Sequence, residues 1–322
     1  MNNKLAIISG FLGGTKNRYI TYQPDRDLET RINMAKQAVG FSGLEICYPQ
    51  DFKDPEQLKK LLKDNNLGVS AINFRSRRTG QWWRGSFSSA KKEERDEVVR
   101  DMCAAMDYAA ELGAYRVTTC PLNEGHDYPF EMDYASAYDY MVETISKCAD
   151  YRPDVKICIE YKQNDPRARC LLGNAGETIA FCQETGKKNV GATLDIGHAI
   201  QAGERPAQSA MLLHRANRLF YVHLNDNDKF WDWDMVPGAY NLFDFVEFLY
   251  TLDRIGYDDW FAFDVFPKEN DTVEVFKTVA AVTRKLQHMA EIIDPAEIQK
   301  LQTERNPVAA QKYIYETLFH NV

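Results

Sequence analysis

Four apolar runs in the second half of the chain end in side chains that can bind a metal ion: Glu160, Asp195, His223 and Asp264. An unpaired charge directly after buried apolar residues would be costly, and a cation shared by the four side chains would remove that cost. Carboxylate oxygens and an imidazole nitrogen suit Mn²⁺, Mg²⁺ or Co²⁺ better than a thiolate-rich set would. The residue types therefore predict a divalent metal site, with manganese as first choice. For any single residue, the alternative is a helix-capping carboxylate or an ordinary hydrogen-bonded histidine.

Lys162 stands two residues after Glu160, and side chains two residues apart point to the same face of a strand. A cation that chelates two neighbouring substrate oxygens promotes hydrogen transfer at the carbon beside a carbonyl. Lys162 would then donate to the oxygen on which charge develops. A lysine engaged only in a salt bridge is the alternative.

These side chains can meet only if the carboxyl ends of their strands lie together. Short β-rich runs alternate with segments of helical period, which is typical of βα units. The predicted strands are residues 5–9, 44–48, 69–74, 115–120, 156–161, 191–195, 220–224 and 260–265. The predicted helices are residues 28–39, 55–65, 91–112, 134–149, 176–184, 207–217, 242–255 and 272–293. Eight such pairs predict an α/β fold, a (β/α)8 TIM barrel, with its active site at the carboxyl ends of the strands.

We expect a barrel catalytic domain over residues 1–293 and a C-terminal extension over residues 294–322. The extension ends in an apolar cluster formed by Tyr313, Ile314, Tyr315, Leu318 and Phe319. Such a cluster needs a surface that buries it, either on the chain's own barrel or on a neighbouring subunit.

A doubly wound sheet is the alternative α/β fold. It usually carries a Gly-rich phosphate loop, and residues 9–14 lack the GxGxxG spacing of that loop, which favours the barrel.

Four segments resemble the xylose isomerase-like family of sugar isomerases and epimerases. Residues 160–167, Glu-Tyr-Lys-Gln-Asn-Asp-Pro-Arg, are similar to the family's Glu-x-Lys-x-Asn-Glu-Pro segment, and residues 195–198 to its acidic-x-x-His segment. Residues 223–226 and the Asp-Trp-Asp of residues 232–234 resemble the ligand strand and Asp-x-Asp loop of xylose and L-rhamnose isomerases. Phe263-Asp264 resembles the segment of the last ligand.

The resemblance implies a metal-dependent enzyme that acts on a carbohydrate. It implies that Glu160, Asp195, His223 and Asp264 hold a structural metal and that Lys162 contacts a substrate oxygen. His198, Asp232 and Asp234 would hold a second, catalytic ion; an exposed Asp-x-Asp turn without an ion is the alternative. His198 is also a candidate catalytic group. The chain departs from tagatose- and psicose-type epimerases, because Asp264 replaces a Glu and no arginine shortly follows His223. Isomerase-type chemistry is therefore favoured over simple keto-sugar epimerisation.

Two loops at the same end of the barrel carry further candidate residues. The loop after the third strand contains Arg75, Arg77, Arg78, Trp82, Trp83 and Arg84. Aromatic rings stack on sugar or aryl faces and guanidinium groups bind acids, so we expect Trp82, Trp83 and Arg84, together with Arg167, to contact substrate. A subunit contact is the alternative for this loop. After the fourth strand, His126 is a candidate general base, and a loop histidine with no catalytic role is its alternative.

Three other functions remain open. The catalytic subunits of C-glycoside deglycosidases are similar to the family but cleave a 3-oxo-sugar from an aromatic aglycone, and they would pair with a second small subunit. An endonuclease IV-like repair enzyme shares the barrel but would need a basic groove and more than this chain's six histidines. A non-catalytic binding protein on the same barrel is the third alternative.

Composition narrows the partners and the compartment. A net charge of −8 disfavours binding to nucleic acid, because that affinity rests on Lys and Arg. The seven cysteines form an odd set without a CxxC pair, which is typical of reduced thiols in the cytoplasm. The apolar stretch of residues 5–12 is too short for a membrane span, so we expect no membrane partner. We expect a carbohydrate or glycoside substrate and either a homo-oligomer or a hetero-oligomer.

Overall fold

Eight parallel strands form a closed barrel in the computed structural model, which describes residues 1–83, 85–165 and 168–320. The barrel strands are β1 (Leu5–Ile8), β2 (Gly43–Tyr48), β3 (Gly68–Phe74), β4 (Arg116–Thr119), β5 (Lys156–Glu160), β6 (Val190–Asp195), β7 (Leu219–Leu224) and β8 (Phe261–Phe263). Each strand pairs with its neighbours in sequence, and β8 pairs with β1 to close the barrel. The predicted (β/α)8 TIM barrel is confirmed.

The helices surround this barrel. They are α1 (Leu28–Gln37), α2 (Pro55–Asp64), α3 (Lys92–Glu111), α4 (Tyr134–Tyr151), α5 (Ala175–Glu184), α6 (Ile196–Gln201), α7 (Pro206–Arg215), α8 (Leu242–Arg254), α9 (Thr272–Glu291), α10 (Pro295–Thr303) and α11 (Pro307–Leu318). Several begin at an Asp or Asn whose side chain accepts a backbone N–H of the first turn, as Asp133 and Asp271 do. Of the helices in the described ranges, none is long and apolar enough to cross a membrane.

Several short strands and a 3₁₀ turn lie in the loops that follow barrel strands. A 3₁₀ turn (Ser9–Leu12) follows β1, and Thr15–Lys16 pairs with Thr21–Gln23. Gly125–His126, Ala168–Cys170 and Asn164–Asp165 form a small antiparallel sheet. This sheet joins the segments that follow β4 and β5, so it holds two of the loops that we expected to carry function.

Burial explains why the strands read as continuous apolar runs. All six residues of β6 are buried, as expected for a parallel strand covered on both faces. The main core lies between strands and helices, and a smaller cluster that includes Ala71, Cys158 and Tyr221 fills the barrel interior. The predicted barrel strands and helices differ from the observed ones by one or two residues at their ends. The short helix α6 and the two helices of the C-terminal extension were not predicted.

The C-terminal extension folds into α10 and α11. The rings of Tyr315 and Phe319 lie 5.1 and 6.5 Å from the ring of Phe243 on α8. The Tyr313 hydroxyl accepts a hydrogen bond from the backbone N–H of Asp294. The extension therefore contacts its own barrel, while Tyr315 remains 52% exposed. A role in subunit contact stays a prediction.

Candidate metal centre and substrate cavity

The structure brings together the four side chains that end the last four strands. One ligand atom from each of Glu160, Asp195, His223 and Asp264 lies within 4.8 Å of the others. The register explains this, because Asp195 on β6 pairs with His223 on β7, and Glu160 ends the adjacent β5. Ligand atoms about 2.0–2.6 Å from one ion lie at most about 5.2 Å apart. We call these four residues the strand-end cluster, and its donor set and spacing fit one divalent cation.

Three carboxylates this close oppose one another's ionisation. Burial alone would raise the pKa of Glu160, but His223 and then His198 lower it to about 2. Burial, followed by the charges of Glu160 and Asp195, raises the pKa of Asp264 to about 7. Burial also raises the pKa of Asp195. A cation bound among the carboxylates would offset this repulsion, which is a second reason that the site fits a metal.

Asp195 has a structural role in addition to its place in the cluster. Its Oδ1 accepts a hydrogen bond from the backbone N–H of His198 at 2.9 Å and so caps α6. Its Oδ2 accepts one from the Asn225 side chain at 2.8 Å. A Cβ on Gly197 would lie 1.8 Å from Asn225 Oδ1, so only glycine leaves room for this contact. The helix-capping alternative therefore holds for Asp195, together with its position in the cluster.

The imidazole of His223 is fully buried between two carboxylates. Its Nε2 donates to Glu45 Oε2 at 2.9 Å, and its Nδ1 lies 3.3 Å from Glu160 Oε1. Burial disfavours the charged imidazole, but Glu45 and then Glu160 raise the pKa of His223 well above its usual value. Sequence reasoning missed Glu45. The signal was a charged residue in the middle of the apolar strand Gly43–Tyr48.

Lys162 and His198 share one carboxylate. Lys162 Nζ lies 2.8 Å from Asp232 Oδ2, and His198 Nε2 lies 3.2 Å from the same oxygen. Burial opposes both charges, but Asp232 raises the pKa of Lys162, and Asp195 and Asp232 raise the pKa of His198 to about 9. Asp232 thus favours the protonated forms of both groups, in which each donates a hydrogen bond to it. The Nδ1 of His198 donates to the backbone carbonyl of Tyr161 at 2.9 Å, which fixes the ring.

Asp232 and Asp234, expected to help to hold a second ion, lie in the same region. Asp232 already pairs with the Lys162 ammonium, which neutralises it without a metal. Burial, followed by Asp232 and Asp264, raises the pKa of Asp234 well above its usual value. Among the described residues, the side-chain groups spaced to share an ion include neither aspartate. The second ion stays a prediction.

The strand-end cluster opens into a cavity of about 240 Å³. It is lined by Phe11, Arg75, Arg77, Cys120, Leu122, Glu160, Lys162, Asp165, His198, Trp231, Asp232, Asp234 and Asp264. This volume is near the lower end for ligand pockets, which suits a substrate group the size of one sugar ring. The cavity therefore places two of the predicted metal ligands, Glu160 and Asp264, together with Lys162 and His198 around a single small volume. Sequence reasoning did not identify Asp165 and Cys120 as residues of this cavity.

The segment after β3, residues 75–83 and 85–90 of the described chain, borders a second cavity of about 530 Å³ through residues 77–83; we call it the arginine–tryptophan loop. The two cavities share Arg77, Leu122 and Asp165, so they adjoin. Trp83 lines the second cavity and is 82% exposed. Trp82 also lines it, but the ring is 2% exposed and packs against the Arg78 guanidinium at 4.7 Å. Arg84, predicted to bind substrate, lies outside the described residues.

A buried carboxylate anchors the arginine–tryptophan loop. Glu124, fully buried after β4, accepts hydrogen bonds from the backbone N–H groups of Ser86, Phe87 and Ser88 and from the hydroxyls of both serines. The Asn123 side chain donates to the backbone carbonyl of Trp82. These contacts tie the loop to the segment after β4, so the wall of the second cavity is held by hydrogen bonds.

His126 lies in a third cavity of about 590 Å³, where it lines the wall with Asp165 and Asn174. Its Nε2 lies 3.0 Å from the Tyr134 hydroxyl. Among the described residues, His126 does not line the cluster's cavity, although Asp165 lines both cavities. The structure thus places this candidate base beside the cluster's cavity rather than in it. Arg167, also predicted to bind substrate, lies outside the described residues.

Comparison with known families identifies the class of protein. A family model described as "Xylose isomerase-like TIM barrel" matches residues 32–286, more than half of the chain. The chain belongs to this family, and the resemblance inferred from its motifs is confirmed.

Solved structures show the same fold at low sequence identity. An L-ribulose 3-epimerase is 20% identical with a TM-score of 0.70, and the match covers 90% of this chain and 96% of that one. A D-allulose 3-epimerase from Methylomonas sp. is 18% identical with a TM-score of 0.71, covering 88% and 96%. The 3-keto-D-glucoside 4-epimerase YcjR from E. coli is 15% identical with a TM-score of 0.67, covering 88% and 99%.

Proposed function

We propose that this protein is a divalent-metal-dependent isomerase- or epimerase-type enzyme that catalyses hydrogen transfer next to a carbonyl of a carbohydrate. The observation that carries the proposal is the strand-end cluster at a cavity of about 240 Å³ that is also lined by Lys162, which pairs with Asp232. The named relatives of similar fold act on sugars or on a keto-glucoside, which supports the same substrate class.

Each part of the cavity has a role in this reaction. Glu160, Asp195, His223 and Asp264 would hold the cation. When bound, the cation polarises substrate oxygens and stabilises the charge that develops on them. Lys162 donates to a substrate oxygen, because its pKa is raised and its ammonium lines the cavity. His198 donates a second hydrogen bond and, with Lys162, positions Asp232. His126 would act as general base only on a group that reaches the adjoining cavity.

Manganese is the proposed cation, because three of the four ligands are carboxylates. One relative of similar fold, the IOLI protein, was solved with a zinc atom; it is 16% identical with a TM-score of 0.68, covering 89% of this chain and 98% of that one. Metal content of the purified protein, measured by mass spectrometry, tests the choice. Zinc at full occupancy and no response to added Mn²⁺ would contradict it.

The activity test uses Mn²⁺-loaded protein in deuterated water with a panel of free aldoses and ketoses, followed by NMR and mass spectrometry. Interconversion of a sugar is the expected result, and little deuterium uptake would indicate hydride shift rather than an enediol. In the same assay Glu160→Gln should lose activity. Glu184→Gln, an exposed position on α5, is its matched control. If no sugar reacts and added Mn²⁺ leaves the thermal stability unchanged, a non-catalytic binding protein is the better explanation.

A second candidate function rests on the adjoining cavity. The cluster's cavity of about 240 Å³ continues, past Arg77 and Asp165, into one of about 530 Å³ edged by exposed Trp83. A sugar that carries an aromatic aglycone would occupy both volumes, as the C-glycoside deglycosidase alternative requires. That reaction also begins with proton removal beside a carbonyl. A parallel panel of 3-oxo-C-glycosides tests it, because released aglycone would support cleavage and an intact glycoside would exclude it for that panel.

Assembly with a second copy or with a small partner subunit is part of this proposal, as is a cytoplasmic location. Phe130, Phe230 and Trp83, on three different loops after barrel strands, are each more than 80% exposed. Exposed aromatic side chains of this size favour a partner surface. Light scattering coupled to size-exclusion chromatography tests the assembly, and a monomer at micromolar concentration would contradict self-association.

A further inference from the structure

One carboxylate inside the barrel lies outside the strand-end cluster but contacts it. Glu45 lies in the middle of β2, fully buried, two residues before Cys47 of the barrel interior. Its Oε2 accepts a hydrogen bond from His223 Nε2 at 2.9 Å. Its Oε1 accepts one from the side-chain amide of Asn73 on β3. Both oxygens of Glu45 are thus engaged, each by a different strand.

The contact with Glu45 determines which nitrogen of His223 carries a hydrogen. A carboxylate only accepts, so Nε2 must bear the hydrogen and Nδ1 is left for another partner. Nδ1 faces Glu160 Oε1 at 3.3 Å and Asp195 Oδ2 at 3.8 Å. Those groups are acceptors when ionised, so without a cation a hydrogen on Nδ1 would donate to them. A cation between them would take the place of that hydrogen, with Nδ1 as its ligand. The ring is oriented as a ligand would be.

The ring's orientation has further support. Tyr221 packs edge-on against His223 with ring centroids 5.2 Å apart. The Tyr221 hydroxyl in turn donates to Ser70 Oγ at 2.7 Å. Glu45 therefore fixes one nitrogen of a ring that is also held against rotation by a neighbour on its own strand.

We propose that Glu45 is a positioning residue that holds His223 as an Nδ1 metal ligand and strengthens its binding to a divalent cation. A carboxylate that accepts the other N–H of a ligand histidine fixes its tautomer and raises its basicity. The inference rests on the proposed metal dependence. It adds a residue on β2 to a centre whose predicted ligands all lie on or directly after β5 to β8.

The test is the Mn²⁺ affinity of metal-free wild type and Glu45→Gln, read from the electron paramagnetic resonance signal of free Mn²⁺. The expected result is binding weakened by about 10–100-fold, because the neutral amide keeps the shape but not the charge. Asp51→Asn is the matched control, since Asp51 is also fully buried and its described partners are Arg31, Ser9 and Cys47. That variant should lower stability and leave Mn²⁺ affinity unchanged.

A purely structural role predicts a different pattern. If Glu45→Gln lowers the melting temperature of the metal-free protein but binds Mn²⁺ within about twofold of wild type, the proposal is wrong. Should Glu45→Gln fail to fold, Glu45→Asp takes its place, because the side chain shorter by one methylene keeps the charge but withdraws the carboxylate from His223 Nε2. Weaker Mn²⁺ binding in that variant supports the proposal, and unchanged binding overturns it. Wild type that binds no divalent cation would instead overturn the proposed metal dependence itself.

Discussion

The strand-end cluster and the arginine–tryptophan loop lie side by side but are held in different ways. The cluster's side chains stand at the ends of neighbouring strands, so the register of β5 to β8 sets their spacing. Strand register does not position the loop. Instead, the buried carboxylate of Glu124 accepts hydrogen bonds from three of the loop's backbone N–H groups. The proposed metal ligands thus lie on the rigid barrel, whereas the proposed substrate-binding loop is held by hydrogen bonds with the segment after β4, chiefly with Glu124.

The largest expected effect comes from removing a cluster ligand. Glu160→Gln should lose bound metal and lower turnover by about 10³-fold or more, since a metal supplies several kcal/mol of transition-state stabilisation. The loop should remain intact, with unchanged protease sensitivity. Metal analysis and steady-state kinetics on the same preparation check this. A variant that keeps full metal and full activity would remove Glu160 from the centre.

Lys162 lines the cavity beside the cluster but is not one of its four ligands, so replacing it should affect turnover and metal binding differently. Lys162→Met should lower turnover by about 10²–10³-fold, the effect of losing one donor to a developing oxyanion, with Mn²⁺ affinity little changed. Lys156→Met is the matched control, because Lys156 is exposed at the start of β5, the strand that ends two residues before Lys162. A loss confined to KM would show that Lys162 only binds substrate.

Releasing the loop should leave the cluster intact. Glu124→Gln replaces a charged acceptor of three backbone N–H groups, at a cost of about 1–3 kcal/mol. We expect faster tryptic cleavage within residues 75–90 and a raised KM, while Mn²⁺ affinity stays as in wild type. Limited proteolysis checks the release of the loop, and metal titration checks that the cluster is intact. Weakened metal binding would mean that loop and cluster are coupled.

The smallest effect is expected at the exposed tryptophan. Trp83→Ala should raise KM by about 2–10-fold for a substrate with an aromatic group, and should change nothing for a free sugar. Steady-state kinetics with both substrate types measures the difference. Equal effects on both would place Trp83 outside the proposed aglycone cavity. Tyr19→Ala, another exposed aromatic position, serves as control.

The sequence by itself determined the barrel and the cluster. The apolar runs that end in Glu160, Asp195 and His223 mark strand ends, because polar atoms after buried residues need partners. In a parallel barrel all such ends meet on one face, so strand assignment was enough to predict the proximity of the cluster residues. The helical period likewise located the main helices. The period alone does not mark the short helix α6, all six of whose residues are buried, or α10 and α11, which bury only Leu301 between them.

Only the tertiary structure decided the contacts between distant segments. Glu45 and His223 are far apart in sequence, and their contact depends on which residues of β2 and β7 face the barrel interior. Asp232 lies in a loop, and nothing local predicts that Lys162 and His198 both bind it. Trp82 and Trp83 are adjacent in sequence, yet one is buried and the other exposed. The physical reason is common to all three. Strand periodicity dictates which face a side chain takes but not which side chain it meets there, and for strand and loop residues alike the partner depends on the packing of the whole barrel.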